Sequence, residues 1–357
     1  MDSSKREDTK KEYEATEWIR ANVELTESDP VASLYDRMES QSGEQLAVVY
    51  APFDGRQGPH FCDYGRILDF AVACGTAAVG CDIADARILD FGPGDGWPAL
   101  LIAPMVSEVV GVEGSKRRVE VCARNAERLG IENARFVHVP PGNPLPFDDN
   151  SFDGVTAASS VEQTPDPRST LKELYRVLKP GGALRMFYES LARYRGGHEH
   201  DIWFGDLDGA GYLLVFVRDI DGEMVRHYAL VFDCPKSKIE DIFARAGVEP
   251  SYAALTPEIL GGLCQRLHDA TTWTTRHASC RTHLKWLDEI GFSSARPTHN
   301  GGWFAAQLFN RLAESERPKT LDAVDALLRP LVEIVVQMEA PASSRTDDWD
   351  PWITAVK

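Results

Sequence analysis

Ile88-Leu89-Asp90-Phe91-Gly92-Pro93-Gly94-Asp95-Gly96 is the stretch on which the reading of the whole chain turns. A short apolar run, the length of a strand buried on both faces, ends in an aspartate and opens into glycines at alternate positions. Glycine at 92, 94 and 96 removes the Cβ atoms that would hold a ligand off the backbone, and the amides opening the next helical segment, 97–105, face it. Asp90, at the carboxyl end of the strand, is placed to accept hydrogen bonds from the loop or from a ligand ammonium. About twenty residues on, a second apolar run delivers Glu113, where a carboxylate can take both hydroxyls of a ribose. The two segments describe a nucleoside-binding crevice at a topological switch point. The run Gly94-x-Gly96-x-x-Ala99 also satisfies a dinucleotide fingerprint, with Glu113 then serving an NAD ribose.

Outward from this stretch, apolar runs at 88–91, 108–112, 134–139, 154–158 and 182–187 alternate with helix-period segments at 97–105, 116–129 and 167–178, the pattern of a parallel α/β sheet. Lys179-Pro180-Gly181-Gly182 stops the last helix and turns the chain into the fifth strand. After Glu189 the pattern breaks. Segments 212–218 and 224–232 are β-rich around a hairpin turn, Asp219-Ile220-Asp221-Gly222, and helices are expected at 237–246 and 257–268. The passage 284–292 resumes the sheet, helices follow at 302–312 and 321–338, and 352–356 reads as a closing strand. On the amino-terminal side a helix is expected over 12–25, a second starts at Asp29-Pro30, and 50–64 reads as an irregular loop before Asp63 caps a helix running to Cys74. The resulting division is an N-terminal helical lid or dimer arm (1–80), a core (81–188 and 281–357) and an inserted β-hairpin/helical substrate cap (189–280).

Composition narrows the function. With 357 residues, 43% of them hydrophobic, the chain is globular. Lys+Arg 38 against Asp+Glu 55, a net charge of -17, argues against nucleic acid or an anionic membrane as partner. Residues 1–11 are polar and the apolar window 67–81 is broken by Asp69, Gly75 and Gly80, so neither a signal peptide nor a membrane span is read. Seven scattered cysteines without a C-x-x-C pair indicate neither a disulfide scaffold nor a zinc ribbon, and a reducing, cytoplasmic location is expected.

Four blocks carry a resemblance: Ile88 to Gly96; Val110-Gly111-Val112-Glu113-Gly114-Ser115; Leu145-Pro146-Phe147-Asp148-Asp149-Asn150-Ser151-Phe152-Asp153; and Leu171 to Gly182. In this order they resemble class I S-adenosylmethionine-dependent methyltransferases, in particular the small-molecule branch similar to ubiquinone and menaquinone biosynthesis methyltransferases. The resemblance implies a Rossmann-like, seven-stranded sheet with helices on both faces and S-adenosyl-L-methionine as cofactor. It implies that Asp90, Gly92, Pro93, Gly94, Gly96 and Trp97 hold the methionine portion, Glu113 and Gly114 the ribose, Gly142 and Asn143 the adenine end, and Ser159 and Ser160 the sulfonium side. The sequence departs from the family at Pro141, where an acidic residue usually meets the adenine amino group, and at Glu162-Gln163, which replace a frequent histidine.

The expected reaction is methyl transfer to a small-molecule S, N or O nucleophile by in-line displacement, driven mainly by alignment and desolvation, with no obligatory catalytic residue. Candidate acid/base groups are His60, Tyr64, Glu162, His198 and His200, and candidate substrate contacts are Tyr50, His60, Tyr64, Glu162, Gln163, Trp203 and Tyr212. No metal is expected, His198-Glu199-His200-Asp201 reading as a polar loop, and Lys116, Arg117 and Arg118 read as a solvated helix face. A homodimer is compatible with the amino-terminal arm. Two alternatives stand beside this reading, an NAD-dependent oxidoreductase and a non-catalytic S-adenosylmethionine-binding regulatory protein.

Overall fold

The computed structural model describes residues 15–40, 58–77, 82–189, 200–207, 209–219, 222–340 and 352–357. These fall into two compact units: the larger takes the described residues of 34–189, 279–345 and 349–357, the smaller those of 1–33 and 190–278. In chain order, helical residues 15–22 precede β1 (Thr26–Glu27), α1 (Pro30–Ser40) and α2 (Gly58–Ala77). Then come β2 (Arg87–Phe91), β3 (Glu108–Glu113), α3 (Lys116–Leu129), β4 (Ala134–His138), β5 (Phe152–Ala158), α4 (Pro167–Val177) and β6 (Leu178–Phe187). They are followed by β7 (His200–Leu207), β8 (Ala210–Asp219), β9 (Met224–Phe232), α5 (Lys236–Arg245), α6 (Pro257–Cys264) and β10 (Leu267–Arg276). Helix α7 (Cys280–Ile290), β11 (Ser294–Thr298), α8 (Gly301–Arg311), α9 (Leu321–Val335) and β12 (Trp352–Val356) complete the chain.

The larger unit is built on a seven-stranded sheet in the order β11-β12-β6-β5-β2-β3-β4. Its five central and outer strands β6, β5, β2, β3 and β4 are parallel, while β12 runs antiparallel to both β6 and β11. Neighbouring residues of β2 serve opposite cores. Ile88 packs with Phe70 and Leu68 of α2, Phe309 of α8 and Leu328 of α9, whereas Leu89 packs with Leu171 and Leu174 of α4 and Leu287 of α7. This explains why the parallel strands read as unbroken apolar runs, and it gives the expected layer of helices on each face. The closing strand is in place, with Ile353 opposite Met186 and Val356 opposite Ala183.

Helix ends follow local chemistry. The Asp29 carboxylate accepts from the Val31 and Ala32 amides at 2.8 and 3.1 Å to open α1, Ser115 accepts from the Arg118 amide to open α3, and Gly130 closes α3 in the left-handed region at φ 67°. Helix α2 includes Gly58 to Asp63, where the sequence reads as a loop, and residues 50–57 of that expected loop lie outside the described residues. Its Gly-Pro start has the texture of a loop, yet proline is at home in a first helical turn because the amide it lacks has no intrahelical acceptor there.

The smaller unit holds a five-stranded sheet in the order β1-β10-β9-β8-β7. Only β1 is parallel to its neighbour; β8 and β9 pair antiparallel to Asp219 opposite Met224, and the Asp219 carboxylate accepts from the Gly222 amide at 2.9 Å, while Ile220 and Asp221 of the expected turn lie outside the described residues. One sheet face, with Leu213, Val215 and Leu230, packs on residues 15–22, α5 and α6. Two sequence expectations fail here. His200 and Asp201 begin strand β7 instead of lying in a polar loop, and the helix expected to reach His268 ends at Cys264, the chain then forming β10. Residues 267–276 pair with β9 instead, so cross-strand hydrogen bonding takes Leu267 and His268 out of the expected helix.

Candidate cofactor site

Parallel strands deliver their carboxyl ends to one edge of the sheet, and there a cleft of about 550 Å³ opens in the larger unit. Its floor is the turn between β2 and the one-turn helix Ala99–Ile102. Gly92, Gly94 and Gly96 all take positive φ, at 74°, 61° and 115°. A Cβ on Gly92 would meet Cβ of Ser160 at 2.4 Å, whereas one on Gly94 would meet nothing within 4 Å, because that side faces the open cleft. The turn is held from behind: the Asn125 carboxamide donates to the Asp95 carbonyl at 2.8 Å, the Cys122 thiol to the Gly94 carbonyl at 3.3 Å, and the Ser160 hydroxyl to the Phe91 carbonyl at 2.6 Å.

Two carboxylates fix the turn. Asp90 is fully buried, accepting from the Ala99 amide at 2.9 Å and from the Thr156 hydroxyl at 2.9 Å. Burial pushes its carboxyl up to about 7, against the pull of those two hydrogen bonds. Asp90 and Gly96 are not among the cleft-lining residues, and Asp90 spends its oxygens on the loop. Glu113 does line the cleft. Its carboxylate accepts from the Gly94 amide at 3.0 Å and the Ser115 amide at 3.2 Å, and burial raises its pKa while those amides oppose the rise. The Ala99 amide, third place of the dinucleotide fingerprint, is already taken by Asp90, so this helix start offers no free amide there to a pyrophosphate.

The remaining expected cofactor contacts, Gly92, Pro93, Gly94, Trp97, Gly114, Gly142, Asn143, Ser159 and Ser160, line the cleft together with Glu113. In the loop after β4, the Val139 amide donates to the Glu113 carbonyl, the Asn143 amide to the Pro140 carbonyl, and the Leu145 amide to the Glu173 carboxylate. Gly142 turns that loop at φ 83° beside Pro165.

Substrate candidates scatter. Gln163 lines the cleft and donates to the Ser159 carbonyl at 2.6 Å; Glu162 accepts from the Glu189 amide at 2.8 Å and does not line it. Tyr64 donates to Asp325 of α9 within the helical packing and is likewise not among the lining residues. His200, Trp203 and Tyr212 belong to the smaller unit, His200 buried against Tyr252 and Trp203 exposed with its edge on Tyr212. Tyr50 and His198 lie outside the described residues, as does the His60 side chain. No group of metal-binding side chains occurs among the described residues, and none of their helices is long and apolar enough to cross a membrane.

Several lining residues carried no mark in the sequence. Tyr35 of α1 reaches the cleft from the amino-terminal segment, and Asp166 and Glu173 of the α4 region close its far end. Arg118 lines the cleft instead of sitting on a purely solvated face, and it is the single Lys or Arg against four carboxylates, Asp95, Glu113, Asp166 and Glu173. Glu173 is already paired with Arg176 at 2.9 Å, and Asp166 accepts from the Arg168 and Ser169 amides at the start of α4. Asp153 is nearly buried, accepting from the Arg87 amide and pairing with Lys179 at 2.7 Å.

The seven-stranded sheet, the glycine turn and the strand-end glutamate are those that the sequence resemblance implies. Residues 89–186 match the family described as a methyltransferase domain. An uncharacterized methyltransferase, YcgJ, of Bacillus subtilis is 40% identical over 99 residues, covering 28% of this chain and 39% of that protein. The ubiquinone/menaquinone biosynthesis C-methyltransferase UbiE of Geotalea daltonii is 34% identical over 113 residues, covering 31% of this chain and 48% of its own. The matched stretch thus spans less than half the length of either relative. Among solved structures, an S-adenosylmethionine-dependent methyltransferase from Clostridium acetobutylicum is similar over 91% of this chain and 95% of its own, at 12% identity and a TM-score of 0.46.

Proposed function

We propose that the protein catalyses S-adenosylmethionine-dependent methyl transfer to a small-molecule acceptor. The observation that carries this reading is the buried Glu113 carboxylate, set at the end of β3 against the amide of Gly94 and facing an open cleft whose glycine turn leaves room for a ligand at the backbone. The donor set fits the cofactor: Glu113 for vicinal hydroxyls, the Gly92 to Gly94 backbone and Asp95 for an amino-acid portion, and Gly142 and Asn143 for a purine edge. When bound, the cofactor supplies a methyl group on a positively charged sulfur. The chain's own part is to orient and to exclude water. Ser159 and Ser160, at the end of β5, and Gln163 border the cleft on the side we assign to the acceptor, and alignment there can contribute roughly 7–11 kcal/mol without any acid or base.

We assign acceptor recognition to the smaller unit, inserted between β6 and α7, where Trp203 lies over Gly205 and its indole meets Tyr212 edge-on at 5.7 Å. UbiE is named a ubiquinone/menaquinone biosynthesis C-methyltransferase, but it matches only 31% of this chain, so thiols, amines and phenols belong in the acceptor panel alongside quinones. The test is calorimetric titration of the full chain with S-adenosylhomocysteine, followed by methyl-label transfer to that panel. Binding is expected, and Glu113→Ala is expected to weaken it more than tenfold, about 1.4 kcal/mol. No heat with S-adenosylhomocysteine, together with thermal stabilisation by NADH, would replace this reading with the oxidoreductase one.

A further inference from the structure

The turn that carries Glu113 is gripped by a helix remote from it in sequence. A Cβ placed on Gly114 would stand 2.3 Å from Cε1 and 2.7 Å from Cζ of Tyr35, so the tyrosine ring rests on the Gly114 backbone and only glycine admits it. Tyr35 lines the cleft beside Glu113, and its phenol is pushed up first by burial and then by the Glu113 charge. Four residues along α1, on the same helix face, Glu39 accepts from the Arg117 amide at 3.4 Å and from the Ser115 hydroxyl, both at the start of α3. Independently of α1, the His138 ring of β4 donates through Nε2 to the Gly114 carbonyl at 3.0 Å.

We propose that α1 clamps the ribose end of the cleft, with Tyr35 a positioning residue that acts through Glu113 and Glu39 the anchor that fixes the helix to α3. The inference rests on the cofactor reading above and names residues that reading does not use. Its physical basis is competition with water. A carboxylate accepting hydrogen bonds from a diol discriminates better where water is kept away, because hydrogen bonds to charged groups strengthen as the local dielectric falls. The ring on Gly114 supplies that exclusion one residue from the carboxylate, and the glycine exists at 114 to let it approach.

The experiment is calorimetric titration of S-adenosylhomocysteine into the full chain as wild type, Tyr35→Ala, Tyr35→Phe, Glu113→Gln and the Tyr35→Ala/Glu113→Gln pair. Tyr35→Ala is expected to weaken binding about tenfold and Tyr35→Phe, which keeps the ring, to recover most of it. On the Glu113→Gln background the same Tyr35→Ala change should cost less than about twofold, since the group it shelters is gone. Glu39→Gln, at an exposed site, should speed hydrogen exchange of the amides at 115–118. Wild-type affinity in Tyr35→Ala, or losses that simply multiply in the double variant, overturn the clamp while leaving the cofactor reading intact. A wild-type protein that binds no S-adenosylhomocysteine removes the cofactor reading itself, and the clamp with it. Were Tyr35→Ala to misfold, unchanged exchange at 115–118 in Glu39→Gln would still overturn the clamp.

Discussion

Asp90 illustrates how much of the site is decided at single side chains. It is buried and takes hydrogen bonds from Ala99 and Thr156, yet its carboxyl stands near 7 because burial outweighs them. An unfolded aspartate titrates at about 3.9, so between about pH 4 and pH 7 the native state holds a proton that the unfolded chain has released. The Asp90 contribution to stability therefore falls as pH rises through that window. Asp90→Asn should abolish this part of the fall, measured as the difference between the urea midpoints of the two proteins across the window; parallel profiles would show that Asp90 is not the group responsible. Glu113 was legible in the sequence because a fixed spacing links it to the glycine turn. Tyr35 was not, since one aromatic in an amphipathic helix carries no local sign of where the helix docks, and Arg118 was hidden in a basic run that looks like any solvated face.

Among the elements, α2, β6, β11, β12 and α8 meet at one buried ion pair. Arg185 of β6 and Asp69 of α2 are both fully buried, 2.7 Å apart, and the guanidinium also donates to Thr298, to Thr354 and to the His299 carbonyl, while Asp69 accepts from the Gly301 amide. The Arg185 guanidinium lies 5.1 Å from the centre of the Trp352 ring. Removing one partner leaves an uncompensated charge, so Arg185→Met should destabilise the larger unit by about 3–5 kcal/mol in urea titrations; a loss below about 1 kcal/mol would mean that water or a neighbour replaces the arginine. The parallel strands were readable because burial on both faces writes itself as an apolar run. By contrast β7 and β10 were not: His200-Asp201-Ile202-Trp203-Phe204 and the Thr-rich 271–275 show no period-two alternation, and they rely on cross-strand partners distant in sequence, such as His227 for Trp273.

For the molecule as a whole, the last residues of the chain are structural. Strand β12 lies between β6 and β11, with Trp352, Ile353 and Ala355 buried, and the Gly181 amide donates to the Lys357 carbonyl at 3.0 Å. Deleting 352–357 removes an interior strand and leaves two facing edges unpaired, so the truncated protein should be insoluble or lose its cooperative melting transition by circular dichroism. A soluble truncation with the native melting curve would contradict the placement. The closing strand was anticipated from a terminal apolar run, whereas the split of the amino-terminal segment at residue 33 between two units had no counterpart in composition or pattern.

Trp97 borders the cleft while its ring meets Phe70 edge-on at 5.7 Å, so one indole spans cleft and core. Nature has in effect wired an optical gauge into the pocket: intrinsic emission should change as the site fills, without a label, and Trp97→Phe should erase the occupancy-dependent part of the signal while the other seven tryptophans glow on as a constant background.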